Sequence, residues 1–159
     1  ITTVSVSTHT VIVRRSQLIR MAAIDPGGDD VAEGFDTWKA MQVVTQETRA
    51  SIVADVVGHP AGMPSVPELD YVNPDVHRSA ISEHLDTLED AGIVGRAEIP
   101  VGERSRDLPY VFYYLTEDAR AFFDQNGIFD PDTWTAQYAK VQKTDPIERI
   151  ERMERPARE

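Results

Sequence analysis

The stretch DVHRSAISEHLDTLEDAGIV, residues 75–94, decides how the rest of the chain is read. Ala80, Ile81, His84, Leu85, Leu88 and Ala91 recur at helical spacing and share one face. Arg78, Ser79, Ser82, Glu83, Asp86 and Glu89 occupy the opposite face. Gly92 follows the last apolar position, where a helix stop needs a residue that tolerates positive φ. Ile93 and Val94 then lead away as a β-branched pair.

Working back from this helix, Ser65-Val66-Pro67-Glu68 is a capping box. It opens a short helix with Leu69 and Val72 inward, which Asn73-Pro74 stops because the residue before proline avoids the αR region. Earlier still, Thr45 is the expected N-cap of a helix whose buried stripe is Ile52, Val53, Val56 and Val57 and which Gly58-His59-Pro60 ends. A short helix, a tight turn and a longer helix make the helix-turn-helix plan. Working forward, residues 93–99 and 110–115 read as strands joined by the polar tip PVGERSRDLP, a β-hairpin or wing. Arg96, Arg104 and Arg106 lie on or near it.

The flanks are helical. Residues 35–44 suit a short helix with Phe35, Trp38, Met41 and Gln42 along one side, for core or subunit contact. Thr116 caps a helix with Ala119, Phe122 and Phe123 inward, closed by Asn126-Gly127. Asp130-Pro131 starts the next, with the stripe Trp134, Tyr138 and Val141. Asp145-Pro146 repeats that signal before a last helix, IERIERMERPARE, with Ile147, Ile150 and Met153 on one side and i,i+4 pairs Glu148–Arg152 and Glu151–Arg155. Residues 22–34 form a Gly/Asp-rich linker. Residues 1–20 lack the apolar run and small-residue cleavage site of a signal peptide, so they are expected to be a flexible or non-native arm, with Met21 a candidate natural start.

The formal net charge is −11, from 27 acidic and 16 basic residues, and the basic ones are 13 Arg and 3 Lys. A nucleic-acid-binding domain normally shows a basic footprint. Abundant carboxylates with few lysines instead fit a protein of cells that hold molar salt, where a Debye length of ~3 Å leaves distant charges little influence. Without cysteine there are no disulfides or thiolate metal sites, and a cytoplasmic location is the simplest expectation. No apolar run has the length of a membrane span.

Catalytic signatures are missing: there is no G-x-S-x-G, no P-loop and no Gly-rich dinucleotide motif, so no enzyme and no cofactor are expected. His77 and His84 are seven apart, with Asp70 and Glu83 near in sequence, but a metal site needs more ligands in defined geometry. His84 lies on the apolar stripe and reads as a hydrogen-bonded core histidine; no metal is expected.

The string ETRASIVADVVGHPAGMPSVPELDYVNPDVHRSAISEHL, continued by the wing GERSRDLPYVFYYLTEDAR, resembles ArsR-like winged-helix regulators of halophilic archaea or their viruses. His84, Leu85, Leu88, Ala91, Gly92, Ile93 and Val94 match the end of that group's recognition helix. Metal-sensing members carry a cysteine motif in this helix; here Val76-His77-Arg78 stand in its place.

The resemblance implies a homodimer on a double-stranded DNA operator. The expected fold is mostly α with a small β-wing (α+β), a winged helix-turn-helix with extra terminal helices. Its parts are the arm 1–34, a DNA-binding domain 35–127 and C-terminal helices 128–159. The N-terminal half of the recognition helix, about residues 77–91, is expected to face bases in the major groove through His77, Arg78, Ser79, Ser82 and Glu83. Arg96, Arg104 and Arg106 of the wing, about residues 94–115, are expected on phosphates or in the minor groove. Trp38, Met41, Trp134, Tyr138, Val141, Ile147 and Ile150 are the expected dimer contacts. No small-molecule effector is identifiable. The alternative is a winged-helix adaptor that binds protein and not DNA.

Overall fold

The computed structural model of the chain describes residues 34–158. The expected arm, with its Met21 start, lies outside them except for Gly34. Among the described residues there are seven α-helices and one two-stranded antiparallel sheet. Helix α1 (Thr37–Val44) is capped by Asp36, whose carboxylate accepts the Lys39 N–H at 2.9 Å. Its buried residues are Ala40, Val43 and Val44, while Trp38 is exposed. Of the stripe expected for core or subunit contact, Phe35 and Met41 are half-buried while Trp38 and Gln42 are exposed, so the core side of α1 is the small and branched Ala40, Val43 and Val44.

Helix α2 (Glu47–Gly58) starts from Gln46, whose side-chain oxygen accepts the Arg49 N–H at 2.8 Å. Thr45 is instead the C-cap of α1, so the expected N-cap moves by one residue. Glutamine is long enough to reach the third helical N–H, a cap that serine-and-threonine rules overlook. Ile52, Val53, Ala54 and Val56 are buried. Helix α3 (Val66–Val72) shows the expected capping box between Ser65 and Glu68, and Asn73 closes it. Helix α4 (Arg78–Asp90) buries Ile81, Leu85 and Leu88 and ends at Gly92, whose φ of +74° lets the chain turn into the sheet.

Strand β1 (Val94–Glu98) pairs with β2 (Val111–Leu115) in the register Val94↔Leu115, Arg96↔Tyr113 and Glu98↔Val111. A single 3-10 turn, Val101–Glu103, lies in the wing between them. Tyr114 lies across Gly95, where any Cβ would collide with the phenol ring. On the other edge of β2, the Tyr113 N–H donates to the Pro64 carbonyl at 2.9 Å, so the link between α2 and α3 is stitched to the wing.

Helix α5 (Glu117–Asn126) is capped by Thr116 and buries Ala119, Phe122 and Phe123. Helix α6 (Pro131–Ala139) is capped by Asp130, as Asp-Pro predicts, and packs on α2. Helix α7 (Asp145–Glu151) packs on α3. Its N-cap is Thr144 rather than Asp145, and it ends well before the expected last residues. The Glu148–Arg152 pair forms at 3.8 Å, but Glu151 pairs with Lys143 at 3.1 Å and Arg155 pairs with Glu68. A buried carboxylate demands a cation far more strongly than an exposed i,i+4 partner does. Arg155 therefore leaves the helical path, and its Nη1 donates to the carbonyls of Ile150 at 2.8 Å and Met153 at 3.0 Å.

Candidate nucleic-acid interface

The buried stripe of α4 fixes which side faces out. Arg78, Ser79, Ser82, Glu83 and Asp86 are exposed, and Glu89 is half-buried. His77, the N-cap, is exposed and its side chain makes no cap bond. The side chains of His77, Ser79, Ser82 and Glu83 make no hydrogen bond or ion pair with another described residue. Arg78 differs, because its Nη2 lies 3.2 Å from Oδ2 of Asp70 on α3. The polar face thus begins with hydrogen-bonding groups and one cation and becomes acidic toward its C-terminal end. His84 is half-buried on the inner side, where its Nδ1 stands 3.4 Å from Nη1 of Arg49.

The three wing arginines are unequally available. Nε of Arg104 donates to the Ile99 carbonyl at 2.8 Å, its Nη2 pairs with Glu98 at 3.1 Å, and its guanidinium lies 3.8 Å from the centre of the Tyr110 ring. Arg96 reaches the same Glu98 at 3.4 Å with a side chain 42% exposed. Arg106 is exposed and has no partner among the described residues. Arg104 therefore braces the wing, while Arg106 and part of Arg96 face solvent. Spacing alone made the three look alike; Glu98, which pairs with Arg96 on its own strand and with Arg104 of the tip, sets them apart.

Glu68 also centres a buried polar cluster, of which the sequence showed only the Ser65–Glu68 capping box. Glu68, which is fully buried, accepts from Ser65 N–H at 3.0 Å and Ser65 O–H at 2.9 Å. It also accepts from Arg155 Nη2, at 3.0 Å to Oε1 and 3.3 Å to Oε2. The fully buried His59 places Nε2 2.5 Å from Glu68 Oε2, and its Nδ1 accepts the Ala61 N–H at 3.0 Å. That second bond fixes the tautomer: Nε2 carries the hydrogen and donates it. Burial pushes the Glu68 carboxyl up, but His59, Arg155 and Ser65 together hold it below the usual carboxylate range. Burial likewise lowers Arg155, against the opposing pull of Glu68.

His59, Glu68 and Glu151 offer ligand atoms within 4.8 Å of one another. The geometry does not suit a cation, because Nε2 of His59 has no free lone pair in this tautomer and Arg155 already occupies the carboxylate. The same guanidinium lies 4.5 Å from the centre of the Phe112 ring and donates through Nε to the Met63 carbonyl at 2.8 Å. One side chain from the C-terminal segment thus ties α3, the link before it and the wing. Nearby, Asn73 Nδ2 donates to Asp55 at 2.8 Å, and burial pushes the Asp55 carboxyl up to about 7 despite that bond.

The expected dimer residues fall into three groups. Tyr138 and Ile150 are buried within the chain at 4% and 8% exposure, so those side chains pack inside it. Met41, Trp134, Val141 and Ile147 are half-buried. Trp38 is 57% exposed, a large apolar group left mostly open.

Two close helices, the second with a bared polar face, followed by a two-stranded wing define the winged helix-turn-helix class. Residues 44–95 match a family described as a helix-turn-helix domain. A solved structure, described as a protein with a GntR superfamily winged-helix-turn-helix domain from Halomicrobium mukohataei, is 31% identical, with a TM-score of 0.69. The match covers 77% of this chain and 87% of that one. No curated protein matches the sequence. The chain belongs to the winged helix-turn-helix family. The domain and the winged-helix relative together support a DNA-binding regulator. No described helix is long and apolar enough to cross a membrane.

Proposed function

We propose that the protein is a sequence-specific regulator of transcription of the ArsR-like kind, adapted to high internal salt, that binds double-stranded DNA as a homodimer and represses by occupying its operator. The carrying observation is the exposed N-terminal half of α4, set on a buried stripe of Ile81, Leu85 and Leu88. In this reading Arg78 pairs with guanine O6 and N7, and Ser79 and Ser82 bond bases or phosphate. Glu83 accepts from cytosine or rejects wrong bases, and His77 lies at the backbone. Arg106 and Arg96 of the wing contact phosphate or the minor groove, and Arg104 holds the wing in shape. Trp38, with Met41, Trp134, Val141 and Ile147, supplies the subunit contact that would set two recognition helices about one DNA turn apart.

The acidic end of α4 favours a second reading, a protein-binding adaptor with no DNA contact. Binding separates the two. Duplexes selected from a randomised pool are measured by fluorescence anisotropy at fixed KCl, with wild type and Arg78→Ala. The regulator reading expects enrichment of one sequence and a loss of ~1–3 kcal/mol in Arg78→Ala with relaxed preference at one base position. A pool that yields no enriched sequence refutes it.

A further inference from the structure

Asp70 presents an electrostatic problem that the DNA-binding reading does not itself solve. It lies on α3, the first helix of the helix-turn-helix pair, with a side chain 33% exposed. A carboxylate there opposes approach to phosphate. Its partner Arg78 opens α4 with a side chain 58% exposed, Nη2 to Oδ2 at 3.2 Å. We propose that Asp70 is a positioning residue for base readout, holding the Arg78 guanidinium in the orientation that presents one of its edges to a guanine. The inference rests on the DNA-binding reading of α4.

Stereochemistry permits both contacts at once. The guanidinium carries five N–H donors in a rigid fork. The carboxylate takes one hydrogen of Nη2, and the remaining Nη2 hydrogen together with a neighbouring N–H still forms an edge for the two acceptors O6 and N7. An exposed arginine free of any partner loses much rotamer freedom on binding, and one already held from a second helix loses less. Among the side chains expected to face bases, Arg78 is the one that a neighbouring helix grips. Ser79, Ser82 and Glu83 make no side-chain hydrogen bond or ion pair with another described residue. Because the pair is exposed, its worth to folding is small, so a change at Asp70 is read in DNA selectivity and not in stability.

The test uses the full chain and a duplex selected from a randomised pool, with each single-base variant of that duplex. Binding is measured at one KCl concentration for wild type, Asp70→Asn, Arg78→Ala and the double variant. The expected result is that Asp70→Asn cuts discrimination at the Arg78-dependent base by about threefold or more, while affinity for unrelated duplex holds or rises because a negative charge near phosphate has gone. In the Arg78→Ala background, Asp70→Asn then changes discrimination no further. Discrimination unaltered by Asp70→Asn, or lowered equally in both backgrounds, overturns the proposal. If wild type selects no sequence, the DNA-binding reading fails and the proposal with it. If Arg78→Ala loses selectivity and Asp70→Asn keeps it, only the role of Asp70 falls.

Discussion

Arg155→Met strips the cation from a buried carboxylate and should destabilise the protein by about 3 kcal/mol. Removing one member of a buried pair costs ~3–5 kcal/mol, because the other charge is left uncompensated. The lower end applies here because Glu68 keeps the N–H and O–H of Ser65 and Nε2–H of His59. The arginine side chain is 7% exposed, so solvent screening discounts little of that figure. Urea unfolding followed by circular dichroism at pH 7 and fixed salt measures it, and a thermal scan should show a fall of ~10 °C. Glu68→Gln combined with Arg155→Met should cost less than the two single changes summed, because neither charge is then stranded. The effect also depends on pH. Glu68 titrates below its ordinary value of 4.5 in the folded state, so the stability it contributes is present above that value and is lost as pH falls through the folded one. The penalty of Arg155→Met should therefore shrink in strong acid. A single variant within ~0.5 kcal/mol of wild type at pH 7, or strict additivity in the double, refutes the account.

Asp55 works in the opposite sense: its carboxyl is raised from 3.8 to about 7, so folding favours the protonated form and stability falls as pH climbs between those values. Asp55→Asn, which keeps an oxygen for Asn73 Nδ2, should raise the melting temperature at pH 8 and have little effect at pH 4; equal effects at both would contradict the assignment. Arg106→Ala should weaken binding to all duplexes alike and reduce the slope of log K against log salt by about 1, whereas loss at one sequence only would make it a base reader. Gly95→Val should cost about 1–3 kcal/mol in urea unfolding, since its Cβ meets the Tyr114 ring. If Trp38 belongs to the subunit contact, Trp38→Glu sediments as monomer under conditions where wild type is dimer, and an unchanged dimer removes Trp38 from it.

What the sequence disclosed and what it hid divide by range. The capping box at Ser65 and Glu68, the Thr116 and Asp130 caps and the stop at Gly92 act across three or four residues, so neighbours in sequence carry them. The α4 stripe is legible for the same reason, since periodicity states which side is buried without naming what covers it. Glu68 shows the limit. Its local role as a cap is evident, but its partner Arg155 is 87 residues away, and nothing near Arg155 announces a buried carboxylate. The helical pattern around Arg155 offered Glu151 instead, and a local rule for exposed pairs lost to a long-range demand. At α1 periodicity left the core side undecided for a different reason: Trp38 and Met41 are the larger apolar groups, but Ala40, Val43 and Val44 are the ones buried. Of the two alternatives left open for that stripe, core or subunit contact, the core one does not hold for Trp38.

Helix α3 gathers these threads. It has seven residues, too few to be stable alone, and its buried side chains are Glu68 and Leu69. Tertiary partners must hold it. Arg155 grips Glu68 from below, and Asn73 at its end donates to Asp55 of α2 and to the Leu69 carbonyl, each at 2.8 Å. Two residues beyond Glu68, Asp70 meets Arg78 at the start of α4. Any shift of α3 moves Asp70 with it. The C-terminal segment is therefore expected to influence the first exposed turn of α4 through α3, because the cation that satisfies Glu68 holds the helix that carries Asp70. Arg155→Met should accordingly disturb DNA binding as well as stability, whereas Arg104 holds the wing directly through Glu98 and Tyr110.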